Sequence, residues 1–262
     1  MELGLDGRVA IVTGAGRGIG LAITRCLVAE GSHVLAASRT VTPDLALLAD
    51  GGAVTPVEAD LTDPSVPGDL ATQAAALGGA TILVNNVGGV RPRTGGFAAV
   101  TDDEWLGTFQ LDALSAIRMT RAVLSGMREA GSGSIVTVAS VNARLPDPAV
   151  IDYSAAKAAL VNFSKSLSKE VGRDGIRVNT VSPGPVATDL WLGEGGVAAT
   201  VSAAAGAETA QIVAGAEASM VTGRFTKPDE VAALVAFLAS DLAAGNITGA
   251  DFVIDGGLTA EL

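Results

Sequence analysis

Val9-Ala10-Ile11-Val12-Thr13-Gly14-Ala15-Gly16-Arg17-Gly18-Ile19-Gly20 is the stretch that decides the fold. Val9–Thr13 is a short apolar, β-branched run of the kind that forms a buried strand. It passes without a break into a string of glycines, and a segment of helical period begins near Arg17. Glycines let a backbone turn tightly and come close to a pyrophosphate. The helix that follows offers free N–H groups and the positive end of its dipole to the phosphates. A glycine string alone is a weak signal, but between the first strand and the first helix of an α/β chain it is a strong one. Gly14, Gly16, Arg17, Gly18, Ile19 and Gly20 are therefore candidate cofactor contacts.

Working outward, short β-branched runs alternate with longer helix-period segments. The expected strands are Val9–Thr13, His33–Ala37, Ala53–Val57, Ile82–Asn85, Ser134–Ala139, Arg177–Val181 and Phe252–Ile254. Helices begin near Arg17, Asp44, Ser65, Thr101, Ile151 and Pro228. Strands joined by helical crossovers imply a parallel sheet, and strands apolar on both faces imply helices on both sides. The expectation is one α/β domain over residues 1–262, a Rossmann-type doubly wound parallel sheet. Leu190–Arg224, rich in Ala, Gly, Ser and Thr, stands apart. It reads either as a weakly helical insertion or as a lid over the site, and its place after a strand's C-terminal end favours the lid.

The 262 residues are 48% apolar but only 3% aromatic, so aliphatic side chains must fill the core. A lone cysteine, Cys26, cannot form an intrachain disulfide, and it reads as a structural thiol. His33 is the only histidine, which argues against a histidine triad or a histidine-rich zinc site, and no metal is expected. The formal net charge of −11 disfavours nucleic acid and anionic membrane surfaces as partners. Met1–Arg8 has no signal-peptide pattern and no apolar run spans a bilayer, so a cytoplasmic location is expected.

Roughly twenty residues past the glycines, a site selective for NAD carries an acid against the ribose 2′-hydroxyl. Here Ser38-Arg39 occupies that place. A serine can donate to a 2′-phosphate and an arginine can pair with it, which favours NADP(H). The alternative is that Arg17 and Arg39 are merely solvated. Asp60-Leu61 after the third strand, and Asn85-Asn86-Val87-Gly88 after the fourth, also stand at C-terminal strand ends, where ligands bind in such sheets. The asparagines serve equally well as backbone staples.

At the end of the fifth strand stands Ser140. Tyr153, the only tyrosine, and Lys157 follow one helical turn apart on the same face. A hydroxyl, a phenol and an ammonium can thus converge on one small substrate. Tyr-x-x-x-Lys alone is equally an exposed helix face, so the rest of the chain has to support it.

Taken together these residues resemble the short-chain dehydrogenases/reductases from Gly7 to Gly257. The Thr-Gly-x-x-x-Gly-x-Gly loop, Asp60, Asn-Asn-x-Gly, Ser140, Tyr153-x-x-x-Lys157 and Pro183-Gly184 occur in the family's order and spacing. The resemblance implies an NADPH-linked oxidoreductase of carbonyls and alcohols, commonly a homotetramer. It implies that Tyr153 exchanges the proton, that Ser140 holds the substrate oxygen, and that Lys157 binds the nicotinamide ribose and lowers the phenol's pKa. Asn86, Gly88, Pro183, Gly184, Val186 and Thr188 would then flank the cofactor. Two positions depart from the pattern. Val87 replaces the usual alanine, and Asp112 replaces the asparagine that completes the catalytic group. A carboxylate there is expected to raise the lysine's pKa.

The pocket walls expected from this reading are Gly89–Phe97, Val141–Asp152 and Leu190–Arg224. They suit a medium-sized hydrophobic ketone, with Arg91, Arg93, Arg144 and Asp147 as possible polar handles. The same site run in reverse is an NADP-linked alcohol dehydrogenase. A sensor without turnover is the reading from another class, and the intact Ser140, Tyr153 and Lys157 argue against it. Phe252–Ile254 and the helix Asp229–Ser240 are expected to bury against a neighbouring subunit.

Overall fold

The computed structural model describes residues 2–260. Its strands are β1 Val9–Thr13, β2 His33–Ser38, β3 Val54–Glu58, β4 Ile82–Asn85, β5 Gly133–Val138, β6 Ile176–Pro183 and β7 Asp251–Ile254. They form one sheet in the order β3-β2-β1-β4-β5-β6-β7, with every pairing parallel. The winding direction reverses between β1 and β4, which opens a crevice beyond their C-terminal ends. Val12 pairs with both Ala36 and Val84, so the loops after β1, β2 and β4 leave the sheet level with one another.

Three helices join the first strands: α1 Gly18–Ala29, α2 Pro43–Ala49 and α3 Val66–Ala76. Between β4 and β5 lie α4 Asp102–Phe109 and α5 Ser115–Ala130, joined by one π-helical turn, Gln110–Leu114. Next come α6 Ile151–Val171, α7 Asp189–Leu192, α8 Val197–Ala205, α9 Thr209–Ser219, α10 Pro228–Ala239 and α11 Asp241–Ala244. Strand side chains alternate between two apolar layers. Ala10, Val12, Val34 and Val84 pack with α1 and α10. Val9, Ile11, Leu35 and Leu83 pack with α3, α5 and the end of α6. Both faces are covered, as the continuous apolar runs require.

Val231, Ala232, Val235 and Leu238 of α10 are buried in the chain's own core against α1, while Leu234 and Phe237 of the same helix are only partly buried. β7 also keeps apolar surface open, with Val253 40% exposed. The segment 190–224 carries most of α7 together with α8 and α9. Trp191 packs edge-on against Phe225 at 5.3 Å, and a β-bridge joins Val186 to Thr226, so the two ends of the excursion are tied together. No single helix among the described residues is long and apolar enough to cross a membrane.

Candidate active site

The glycine loop is shaped by close approaches that a side chain would block. Gly14 has φ +67°, and a Cβ there would meet the Asn86 amide at 2.9 Å and the Val87 Cγ2 at 3.4 Å. Val87, the departure from the family's alanine, therefore lies over the loop. A Cβ on Gly16 would meet Ser38 Oγ at 3.2 Å, and one on Gly18 (φ +55°) would meet Thr188 Cγ2 at 3.3 Å. Gly20 has no room at all, because its Cβ would collide with the Gly14 carbonyl. The loop thus touches the ends of β2 and β4 and the turn after β6. Arg17 precedes α1 without capping it, and the first turn of α1 carries no acid. Its free N–H groups and dipole suit an anion. Arg17 and Arg39 are exposed beside it. This cradle, with two cations and no acid at the end of β2, fits the pyrophosphate and 2′-phosphate of NADP(H).

Some of the expected cofactor residues have other duties. The Asn86 amide donates to the Thr13 carbonyl at 3.0 Å and the Gly14 carbonyl at 3.3 Å, stapling β4 to the loop. Asn85 donates to Thr120 Oγ1 at 3.1 Å, tying β4 to α5. The Leu61 side chain is buried in the core, and Ile19 is partly so, which leaves mainly their backbones for a ligand. Ser38 Oγ donates to the Thr40 carbonyl at 2.8 Å. Asp60 accepts from Thr62 N at 3.0 Å and Thr62 Oγ1 at 2.7 Å. These bonds, with the nearby Arg39 guanidinium, hold its carboxyl below the usual range. Pro183 ends β6. Gly184 N donates to the Ile254 carbonyl at 3.0 Å, Val186 is buried, and Thr188 begins α7.

Ser140, Tyr153, Lys157 and Asp112 come together at the ends of β4 and β5. Ser140 Oγ donates to Asn142 Oδ1 and accepts from Asn142 N, both at 3.2 Å. Lys157 is buried; its Nζ donates to the Val138 carbonyl at 3.1 Å and stands 5.6 Å from the centre of the Tyr153 ring. Asp112, on the π turn, places Oδ1 3.8 Å from Lys157 Nζ and accepts the Gly89 N–H at 2.9 Å. Its Oδ2 is buried without a partner. Gly88 must be glycine here, since a Cβ would lie 2.7 Å from Asp112 Oδ1 and 3.1 Å from Lys157 Nζ.

The electrostatics depart from expectation at the phenol. Asp112 raises the Lys157 value as expected, but burial outweighs it and pulls the ammonium below its usual value. Burial also pushes the Tyr153 phenol well up, the Asp112 carboxylate adds to the rise, and only Ser140 opposes it. The anticipated lowering by Lys157 is absent. Desolvation decides both signs, because the charged form of each group leaves water.

The anticipated polar handles are already engaged. Arg93 pairs with Asp152 and Glu104, the latter at 2.6 Å, and donates to Thr108. Arg144 pairs with Asp251 at 3.0 Å, and Asp147 accepts from Ala149 N at 2.8 Å. Only Arg91 is left without such a partner among the described residues. Sequence reading missed the Arg93–Asp152 pair, whose only signal was an acid directly before Tyr153. It also missed Asn142, which holds the serine.

A parallel sheet with this strand order, a glycine loop at its reversal point and this serine, tyrosine and lysine beside it define a nucleotide-linked oxidoreductase. The chain belongs to the short-chain dehydrogenase/reductase family. The family description that matches, over residues 14–259, is Enoyl-(Acyl carrier protein) reductase. D-threitol dehydrogenase of Mycolicibacterium smegmatis is 38% identical, over 97% of this chain and 94% of its own. A 3-oxoacyl-(acyl-carrier-protein) reductase of Salmonella typhimurium is 36% identical, over 98% and 99% respectively. The solved structure of L-sorbose reductase from Gluconobacter frateurii, complexed with NADPH and L-sorbose, superposes with TM-score 0.89 at 32% identity and covers 100% of both chains.

Proposed function

We propose that the protein reduces a medium-sized hydrophobic ketone to a secondary alcohol at the expense of NADPH. The convergence of Ser140, Tyr153 and Lys157 beside the glycine loop carries this reading. Carbonyl reduction needs a hydride on carbon and a proton on oxygen, and bound NADPH supplies the hydride. Tyr153 is the proton donor: burial keeps the phenol protonated, and donation to the substrate oxygen completes the alcohol. Ser140 hydrogen-bonds that same oxygen. Lys157 holds the nicotinamide ribose. The names of the relatives span threitol, sorbose and 3-oxoacyl groups, so they agree on carbonyl and alcohol chemistry but not on one substrate.

Gly14, Gly16, Arg17, Gly18, Ile19 and Gly20 cradle the pyrophosphate in this reading. Ser38 and Arg39 take the 2′-phosphate. Asp60, Leu61, Asn86, Gly88, Pro183, Gly184, Val186 and Thr188 line the rest of the cofactor groove. The helices within 190–224 act as a lid over the substrate. The working form is a cytoplasmic homotetramer with two-fold axes. Exposed apolar residues support the assembly, among them Leu106 at 67% and Phe97 at 66%.

The test is NADPH consumption with a panel of ketones, run beside an enoyl thioester because of the matching family description. Ketone turnover is expected, and Tyr153→Phe should lower it by roughly 10²–10⁴-fold while NADPH still binds. Turnover of the enoyl thioester alone, or full activity in Tyr153→Phe, overturns the proposal. Arg39→Ala tests the choice of cofactor. Losing one charge-assisted contact is worth roughly 1.5–3 kcal/mol, so NADPH use should weaken more than tenfold and NADH use should stay nearly unchanged. Equal kinetics with the two cofactors in the unmodified protein sinks that assignment.

A further inference from the structure

Ser140 has one hydroxyl proton and two lone pairs to place. In the free protein the proton goes to Asn142 Oδ1 at 3.2 Å, and one lone pair accepts the Asn142 N–H, also at 3.2 Å. The amide is held this way round because its Nδ2 donates to the Leu145 carbonyl at 3.2 Å. Both residues lie on the turn after β5, Ser140 buried and Asn142 half-buried. Ser140 Oγ is the one donor to Asn142 Oδ1 among the described residues. A ketone oxygen can only accept. If Ser140 hydrogen-bonds it, the serine proton must leave Asn142 Oδ1, while the backbone N–H still holds Oγ in place. Oδ1 is then an acceptor without a donor, and an acceptor left unpaired away from water is costly.

We infer that the substrate is a ketone with a hydroxyl on the neighbouring carbon, and that Asn142 selects it: the hydroxyl donates to Oδ1 in place of Ser140. This rests on the reading that Ser140 binds the ketone oxygen. That oxygen and Asn142 Oδ1 then both lie about 3 Å from Ser140 Oγ, and a hydroxyl one carbon away is the nearest donor a substrate can bring there. The hydride of NADPH adds to the carbonyl carbon and the Tyr153 proton goes to its oxygen. The neighbouring hydroxyl is left as it was, so the product is a vicinal diol. A plain ketone makes the same bond to Ser140 and strands Oδ1. A site that pairs a substrate hydroxyl rejects the analogue lacking it for this reason. The remainder of the substrate stays apolar.

The test is NADPH consumption by the full chain with matched ketones: acetophenone with its α-hydroxy and α-methoxy derivatives, then butanone with acetoin and acetoin methyl ether. Hydroxy and methoxy groups both draw electrons from the carbonyl, but only the hydroxyl donates, so their ratio isolates the hydrogen bond. The hydroxy ketone is expected to exceed its methyl ether in kcat/KM by about tenfold. Asn142→Leu keeps most of the volume and deletes the acceptor, and it should bring the two together. Asn142→Asp keeps an acceptor and should retain much of the preference. A merely structural role would slow all the ketones alike and leave the ratio where it was. A hydroxy ketone no better than its methyl ether overturns the inference, and so does a preference that survives Asn142→Leu. The first comparison needs no variant, so it decides even if Asn142→Leu folds poorly. Failure to turn over any ketone would instead overturn the reading on which the inference stands, so the two failures are separable.

Discussion

Asp112 and Asp152 are equally buried, each 1% exposed, yet they are held in opposite ways. Asp152 receives Arg93 Nε at 3.3 and 3.1 Å on its two oxygens, a further Arg93 contact, and Thr108 Oγ1 at 2.7 Å. Burial pushes its pKa up, but these donors win and hold the carboxyl below the usual range. Asp112 has one N–H and one ammonium at 3.8 Å, and burial pushes its carboxyl up to about 6. At equal depth, the partner set decides the sign of the shift. The two carboxylates accordingly suit different tasks. Asp152 clamps the first turn of α6, and with it the backbone that carries Tyr153, to α4. Glu104 extends the clamp, capping α4 through Thr101 N at 2.9 Å while pairing with Arg93. Asp112 is anchored by one hydrogen bond and keeps a charge free to act on its neighbours.

Removing Arg93 should break this contrast most severely. Arg93→Met keeps much of the apolar stem and deletes the charge, leaving Asp152 buried without its counter-ion. Breaking a buried pair from one side costs about 3–5 kcal/mol, so the urea unfolding midpoint should drop accordingly. A loss under about 1 kcal/mol, the range of an exposed pair, would mean that the clamp does not secure α6.

The same contrast marks how far the sequence could be read. Strands apolar on both faces, glycines after β1 and a tyrosine and lysine one turn apart are local patterns, and the sheet and the converging site follow from them directly. Arg93 looked like a free polar handle because its partner Asp152 is 59 residues away. The π turn at Gln110–Leu114 has no glycine or proline to announce it, so the placement of Asp112 against Lys157 needed the fold. The apolar stripe of α10 does not say which surface will cover it; α1 takes Val231, Ala232, Val235 and Leu238. Tyr153 was expected to have a lowered pKa from the charge of Lys157. Spacing gave that charge but not the depth at which it acts, and depth sets the sign.

A smaller effect sharpens the comparison through pH. The folded value of Asp112, about 6, lies above the ordinary 3.8. The folded chain therefore binds this proton more tightly than the unfolded chain does. Its stabilising contribution is complete below about pH 3.8 and is lost as pH rises through about 6, a change of about 3 kcal/mol. Asp152 runs the other way. Its folded value is depressed, so its contribution is present above the ordinary carboxylate range and is lost as pH falls through the folded value. Asp112→Asn removes the first dependence and leaves the second. Urea unfolding of both proteins from about pH 4 to about pH 7 should show the unmodified protein losing about 2.5 kcal/mol relative to the variant, whatever their offset at the start. A difference that stays flat across that range would mean that Asp112 keeps its ordinary acidity in the fold, and the two carboxylates would then not be opposites.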